Sequence, residues 1–498
     1  MSCPTENWLT TAPTRSRGMR RVLWALLLVY ALCAWWGFGD GAIGASWREC
    51  DTQAIARSLA LDFDLLRPRV DWRGATDGGV ECEFPLYQGA IAVALRAFGD
   101  VEWPGRLLSL LAIVGLAATL FSLLERRAGA LPAMLGTLAF LGGAQATFLA
   151  TRVMPDATST ALAVGGLVAF AAYVQGGGSG WLAAAMVLSA VGVLAKPTAA
   201  HVLLLQGSWL LLLAPVRLRD ARLWLGWAGV VAVTVAWLLH ARAVGQSTGL
   251  TFGVTFGDTK MPALEHLLRP GLYRDTLQAT ASYGMSWIGF AAVALLIVRR
   301  RFDRVDAAWL LIVGIGLVGS LRYSHTPAMG PQYHVWSALA GAWFVARAWQ
   351  PNWPKAAAVV AGFAFVAHGA WNFHHEHVGR VAMAASSHVQ TAAVLRELSR
   401  PEDLVVVRGP KVGFDPFWRR PNNCEEPVLL YLGHRKGWIL PSDGVDPSRL
   451  EAVAVAGARW YVDPAPESLA PETGEWLARN ATLASSQPGA RIFRLRSR

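Results

Sequence analysis

Apolar runs close to the roughly 20 residues that a bilayer requires recur from about residue 20 to residue 373, so one anchor carrying a soluble core is excluded. We place eleven spans at roughly 20–38, 105–124, 130–149, 157–174, 181–196, 198–215, 222–241, 278–298, 306–321, 334–349 and 355–373. Composition agrees: only 16% of the 498 residues are charged, against about a quarter in soluble domains. The 23 Trp suit a protein with many crossings of the headgroup boundary, where indole rings settle. The net charge of +11 does not point to nucleic acid, because the Arg residues concentrate in short turns between apolar runs.

Those turns set a topology. With the N-terminus (1–19) inside, the cytoplasmic turns hold Arg126 and Arg127, then Arg217, Arg219 and Arg222, then Arg299 to Arg301 and Arg304, then Arg347 and Lys355. The 176–180 turn, GGGSG, carries no charge. The apolar segment 85–98 is too short to span and is read as an interfacial or re-entrant helix on the outer face, with Arg96 on its polar side. An odd number of spans puts everything after 373 outside.

The division is then a cytoplasmic N-terminus (1–19), a membrane domain (20–379) whose first outer loop covers 39–104, and a small C-terminal α/β domain (380–498). In that tail LVVVRG (404–409), WIL (438–440), RWYVDP (459–464) and RIFRL (491–495) read as strands, and 386–399 and 449–457 as helices. Cys50 and Cys82 both fall in the first outer loop; an oxidising periplasm would allow a disulfide, and two unpaired thiols is the alternative. No metal-ligand spacing is present.

The chemistry-bearing residues fall on the outer face that the turns define. Asp51 precedes a helical pattern, TQAIARSLALD, and by itself would pass for an N-cap. Asp156 follows Pro155 at the start of the fourth span, with Arg152 as a candidate ion-pair partner. Lys196 lies between two closely spaced runs, at or slightly within the membrane; an ionisable group there is functional unless it snorkels. Arg322, Tyr323, His325, Tyr333 and His334 lie at the outer end of the ninth and tenth spans. Carboxylates able to take a proton and cations able to hold an anionic leaving group are what group transfer from a phosphate ester requires. Nucleotide-sugars do not reach an outer face, and the chain has no Gly-rich strand-turn-helix fingerprint; a polyprenyl phosphate could enter laterally between helices.

The motifs CDTQAIARSLA, EFPLYQGAIAVALRAFG, GRLLSLL, RVMPD, LAKPT and GPQYHVWSALAG, in this order over about residues 20–350, resemble those of the GT-C fold membrane glycosyltransferases. Within these they are most similar to the protein O-mannosyltransferase and aminoarabinose-transferase group, the dolichyl-phosphate-mannose-protein mannosyltransferase family. The resemblance implies a mainly α polytopic fold and an inverting glycosyltransferase that moves a sugar from a polyprenyl-phosphate-linked donor to an extracytoplasmic lipid, protein or surface glycan. It implies Asp51 as general base and Asp156 as organiser of the acceptor or donor side, with Arg152, Lys196, Arg322, Tyr333 and His334 on the donor phosphate. Glu83, Tyr87 and His325 would line the acceptor or donor pocket. No metal or other cofactor is implied, the partners being membrane lipids and the lipid-linked donor; a multi-pass monomer of the bacterial inner membrane with its active site on the periplasmic side is the expectation. Two departures keep the sugar open: Glu83-Phe84-Pro85 stands where the aminoarabinose transferases have Lys before the Pro, and Asp51 is followed by Thr52, not by a second acid. An oligosaccharide ligase and a transporter or flippase of a lipid-linked glycan are the alternatives, although rim-located charges and the lack of repeats argue against transport.

Overall fold

A computed structural model describes residues 17–36, 46–255, 268–321, 331–350, 352–410, 414–415, 420–421 and 427–496. The chain divides into two compact units, one made of 1–39, 106–237 and 261–377, the other of 40–105, 238–260 and 378–498.

The first unit is helical, around a core that includes Leu120, Phe140, Leu167, Trp209, Trp309 and Phe344. All eleven predicted ranges are mainly helical among the described residues, yet by length and apolarity the described residues contain five helices able to cross a membrane alone. They are Arg17–Trp36, Trp103–Ala128, Asp156–Val174, Ala221–Thr248 and Lys355–Leu398. The total reaches seven when each of two bent pairs counts as one span, so a count of eleven is not confirmed. The reason is local. Pro197 forces Lys196 into an extended conformation (φ −159°, ψ 120°) and ends Ser179–Ala195 at 17 residues, while Val335–Ala348 has only 14. One predicted span breaks at Gly142-Gly143, where Ala130–Leu141 and Ala144–Thr151 meet at 60°; Pro270–Tyr283 and Ser286–Val298 meet at 98°. The orphaned Gly142 carbonyl accepts from Asn372 Nδ2 at 2.9 Å, the repair that a broken helix requires away from water.

The second unit combines residues 40–105 and 238–260 with the tail. Leu86–Phe98, with 13 residues, is too short to span, as the sequence implies; it packs on Trp47–Leu61, and Arg96 Nε donates to the Ala60 carbonyl at 2.8 Å. The described residues of the tail carry seven strands: β1 (Leu404–Arg408), β2 (Phe414–Asp415), β3 (Arg420–Pro421), β4 (Lys436–Leu440), β5 (Ala458–Asp463), β6 (Ala481–Gln487) and β7 (Ala490–Leu495). Five form a sheet in the order β4-β1-β5-β7-β6, with β1 parallel to β4 and β5, and β7 antiparallel to β5 and β6. The Val405–Val407 run of β1 is buried throughout, as expected for a parallel strand covered on both faces. Ile55, Leu59, Trp72 and Phe252 share one core with Val405, Leu430 and Val462.

The first loop also hydrogen-bonds to the sheet at Gly437, whose N–H donates to the Asp71 carbonyl (3.0 Å) and whose carbonyl accepts from Gly74 N–H (2.7 Å). Gly437 has φ +157°, and a Cβ there would lie 1.8 Å from the Val405 carbonyl oxygen. Gly437→Ala is therefore expected to destabilise this unit by about 3 kcal/mol or more, because β1 and β4 must separate to accommodate the methyl. A chain whose 380–498 region resists protease as well as wild type would contradict this.

Candidate active site residues in the two units

In the first unit the site begins with a helical hairpin. Asp156–Val174 and Ser179–Ala195 are joined by a glycine turn and packed antiparallel along their lengths. Their approach is close: a Cβ on Gly166 would sit 2.6 Å from Ser189 Oγ, and one on Gly192 would sit 3.0 Å from the Ser159 carbonyl oxygen. Ser159 Oγ donates to the Gly192 carbonyl at 2.9 Å, a small-residue seam of the kind that lets membrane helices touch. Antiparallel packing brings the start of one helix beside the end of the other. Asp156 is the first residue of its helix and Lys196 caps the C-terminus of its neighbour, and Lys196 Nζ lies 3.2 Å from Asp156 Oδ2. Both are buried, at 2% and 7% exposure, so Lys196 does not snorkel. Each charge also meets the favourable end of its own helix dipole.

Arg152 is not the partner of Asp156. It bonds to Glu376 Oε2 at 2.8 Å and lies over the Phe148 ring. The turn around 152–156 belongs to a cluster of turns, because Ala144–Thr151 packs on the 3-10 turn Pro331–His334, and His201 lies 5.8 Å from the Trp336 ring. His334 is buried (1%), 6.2 Å from the Tyr283 ring, and its Nε2 has no hydrogen-bond partner among the described residues. Tyr333, beside it, is partly exposed. Arg322 and His325 lie outside the described residues.

A second charged network gathers turns that the charge count places inside. Arg347 bonds to Asp303 (2.8 Å) and Asp306 (3.0 Å), Arg127 also pairs with Asp303, and Trp343 Nε1 donates to Asp306 Oδ1 at 2.9 Å. His334 precedes the Val335–Ala348 helix and Arg347 lies in its last turn; its 14 residues span roughly 20 Å. The two polar clusters of this unit therefore occupy different ends of one helix.

In the second unit Ser46 occupies the N-cap position of Trp47–Leu61, without a side-chain capping bond, which places Asp51 in the second turn of the helix. An N-cap role for Asp51 is thereby overturned. The carboxylate is buried (1% exposed), and Oδ1 accepts from Trp72 Nε1 at 2.8 Å. One turn earlier Arg48 pairs with Glu83 and lies over the Trp47 and Phe252 rings. Glu81 holds the segment after Ala221–Thr248 by accepting from Thr251 Oγ1 and from the Val254 and Thr255 amides (3.2 and 2.6 Å). Tyr87 is buried, and its hydroxyl donates to the Gly105 carbonyl at 2.6 Å, an anchor for the Leu86–Phe98 helix. Cys50 and Cys82 are buried thiols with no disulfide between them, and burial, reinforced by the Glu83 charge, pushes the Cys82 thiol well above its ordinary range.

Sequence reasoning missed Trp72 as the orienter of Asp51, Glu376 as the partner of Arg152, and Glu81. It also missed Asp71, whose carboxyl burial pushes up to about 6 against the pull of Arg57 and Lys436. Because the folded-state pKa is raised, the unfolded chain binds fewer protons between about pH 4 and 6, and stability falls as pH rises through that window. Asp71→Asn is therefore expected to stabilise the fold at pH 7.5 by roughly 2 kcal/mol and to flatten the pH dependence between 4 and 6. Unfolding midpoints across that range check it; an unchanged slope would refute it. Among the described residues no group of three His, Cys, Asp or Glu could hold a metal ion.

Residues 84–240, about a third of the chain, match the family model for dolichyl-phosphate-mannose-protein mannosyltransferase. Among solved structures the chain is similar to ArnT from Cupriavidus metallidurans bound to undecaprenyl phosphate (TM-score 0.58, 16% identity, covering 96% of this chain and 98% of that one). The apo state of that protein gives the same TM-score of 0.58, at 15% identity, with 95% and 98% covered. Arabinofuranosyltransferase AftD from Mycobacteria follows at TM-score 0.53 and 17% identity, covering 96% of this chain but 40% of that longer one. No curated protein matches the chain by sequence. The fold is that of the GT-C membrane glycosyltransferases, and both the family model and these solved relatives are of glycosyltransferases.

Proposed function

We propose that this multi-pass membrane protein is an inverting glycosyltransferase that moves a sugar from a polyprenyl-phosphate-linked donor to an acceptor on the extracytoplasmic side of a bacterial inner membrane. The observation that carries this reading is Asp51, a buried carboxylate in the body of a helix, where no capping duty explains it, oriented by one indole N–H. In this reaction the acceptor hydroxyl or amine attacks the anomeric carbon as Asp51 takes its proton. The bond from that carbon to the phosphate oxygen breaks, and the lipid phosphate leaves with the electron pair. Positive charge must then meet the leaving group. We assign that duty to Lys196, aimed by Asp156, together with Arg152 and Arg322, and hydrogen-bond donation to the same phosphate oxygens to Tyr333 and His334. Glu83 positions the helix of Asp51 through Arg48, and Tyr87 fixes the neighbouring interfacial helix; His325 is assigned to the acceptor or donor pocket on its place in the sequence.

Support comes from the shared fold and from the ArnT structure with undecaprenyl phosphate bound. The test is reconstitution of the full chain into vesicles with a polyprenyl-phosphate donor labelled in its sugar, followed by analysis of the glycosylated envelope acceptors. Transfer with inversion at the anomeric carbon is expected. A product that retains the donor configuration, or label that crosses the bilayer still attached to its lipid, would replace this reading.

A further inference from the structure

The C-terminal sheet carries a second feature that the transfer reaction does not use. At the edge where β1 and β5 begin and β7 ends, a groove of about 720 Å³ is lined by Arg400, Arg459, Arg494 and Arg496 with Asp403 and Trp460. The strand order puts these residues together: β5 lies between β1 and β7, and Trp460 pairs in register with Arg494. The Arg494 guanidinium carbon lies 6.0 Å from the Trp460 ring centroid, which orients that side chain along the wall. All four arginines are exposed. The one carboxylate among the described lining residues, Asp403, balances only one of the four cations; its Oδ2 accepts from the Arg400 amide (2.9 Å) and from Trp460 Nε1 (3.0 Å).

Four guanidinium groups around one concavity, with mostly polar walls, select an anion. The guanidinium fork matches the oxygens of a phosphate or carboxylate in bidentate fashion. The volume lies within the roughly 300–1,000 Å³ of small-molecule sites, well beyond what a bare phosphate fills. The walls lack the apolar surface that an acyl chain would need. The groove sits at the amino ends of the parallel strands, not at the carboxyl ends where nucleotides bind in open α/β sheets.

We propose that this groove binds the anionic group of an acidic saccharide, a sugar phosphate or a uronate. The saccharide part rests on the glycosyltransferase reading above; the anion part does not. The full chain in detergent is titrated with glucose 6-phosphate, glucose and inorganic phosphate by calorimetry. Glucose 6-phosphate is expected to bind saturably, at least tenfold more tightly than glucose and severalfold more tightly than phosphate. Arg459→Ala/Arg494→Ala is expected to weaken it tenfold or more with an unchanged unfolding midpoint, and Arg459→Glu alone to do the same should the double variant fold poorly. Arg459→Lys/Arg494→Lys should retain part of the affinity. Unaltered affinity in the alanine and glutamate variants would overturn the site. Inorganic phosphate binding as tightly as the sugar phosphate would overturn the saccharide, as would arginine-dependent binding to phosphatidylglycerol vesicles with none to glucose 6-phosphate. A chain that binds glucose 6-phosphate yet transfers no sugar would sink the proposed reaction and leave this site standing.

Discussion

Asp51→Asn is expected to leave the protein inserted and folded while sugar transfer from a polyprenyl-phosphate donor falls by about 10²–10⁴-fold, the usual cost of losing a positioned base. The substitution preserves shape and keeps an oxygen for the Trp72 indole, whose donation to Oδ1 at 2.8 Å fixes the side chain. What it removes is the capacity to take a proton. Because Asp51 lies in the second turn and not at the N-cap position, which Ser46 occupies, loss of a helix cap gives no competing account of a dead variant. Trp72→Phe should leave the base present but loosely held, lowering turnover less than Asp51→Asn does. Transfer by Asp51→Asn within a few-fold of wild type would remove the residue from the mechanism.

The second large effect concerns the Asp156 and Lys196 pair. Lys196→Ala removes the cation 3.2 Å from a carboxylate that is 2% exposed, and Asp156→Asn removes that carboxylate's charge from beside a buried ammonium, so each single variant is expected to cost about 3–5 kcal/mol of stability. Asp156→Asn/Lys196→Met removes both charges and should recover most of that loss. A purely architectural pair would regain transfer along with stability. A pair that serves the donor phosphate would regain stability and stay inactive, with apparent donor affinity reduced tenfold or more. Unfolding midpoints in detergent and donor titrations in vesicles separate these, and full recovery of transfer in the double variant would remove Lys196 from the phosphate role.

How much of this was legible in the sequence depends on the range of the interactions involved. Span positions follow from local apolarity, and each proposed range is mainly helical among the described residues. The span count does not follow, because Pro197 and the Gly142-Gly143 break shorten or bend helices that a hydropathy window joins. In the tail, β1, β4, β5 and β7 were readable as apolar runs, whereas the polar edge strand β6, ATLASSQ, is defined only by its hairpin partner β7. Single acids stood out by position, but their partners did not. Trp72 lies 21 residues from Asp51, and Glu376 lies 224 residues from Arg152; no spacing rule links such pairs. Lys196 with Asp156 could have been inferred, because two antiparallel helices joined by a short turn must bring the residues at their open end together. Asp71 carries no sequence signal at all, since its raised pKa comes from burial that only the folded unit provides.

The glycine seam between Asp156–Val174 and Ser179–Ala195 has a consequence for biogenesis. Asp156 and Lys196 are brought together by the contacts of two successive helices and the turn between them. A nascent chain that has extended just past residue 201 already holds everything needed to match the two charges. The hairpin can therefore enter the lipid as an electrically balanced pair, where either helix by itself would carry an uncompensated charge toward the bilayer interior. Widening that seam, as a methyl on Gly166 or Gly192 would, should show itself first as a failure of insertion and only afterwards as a failure of chemistry.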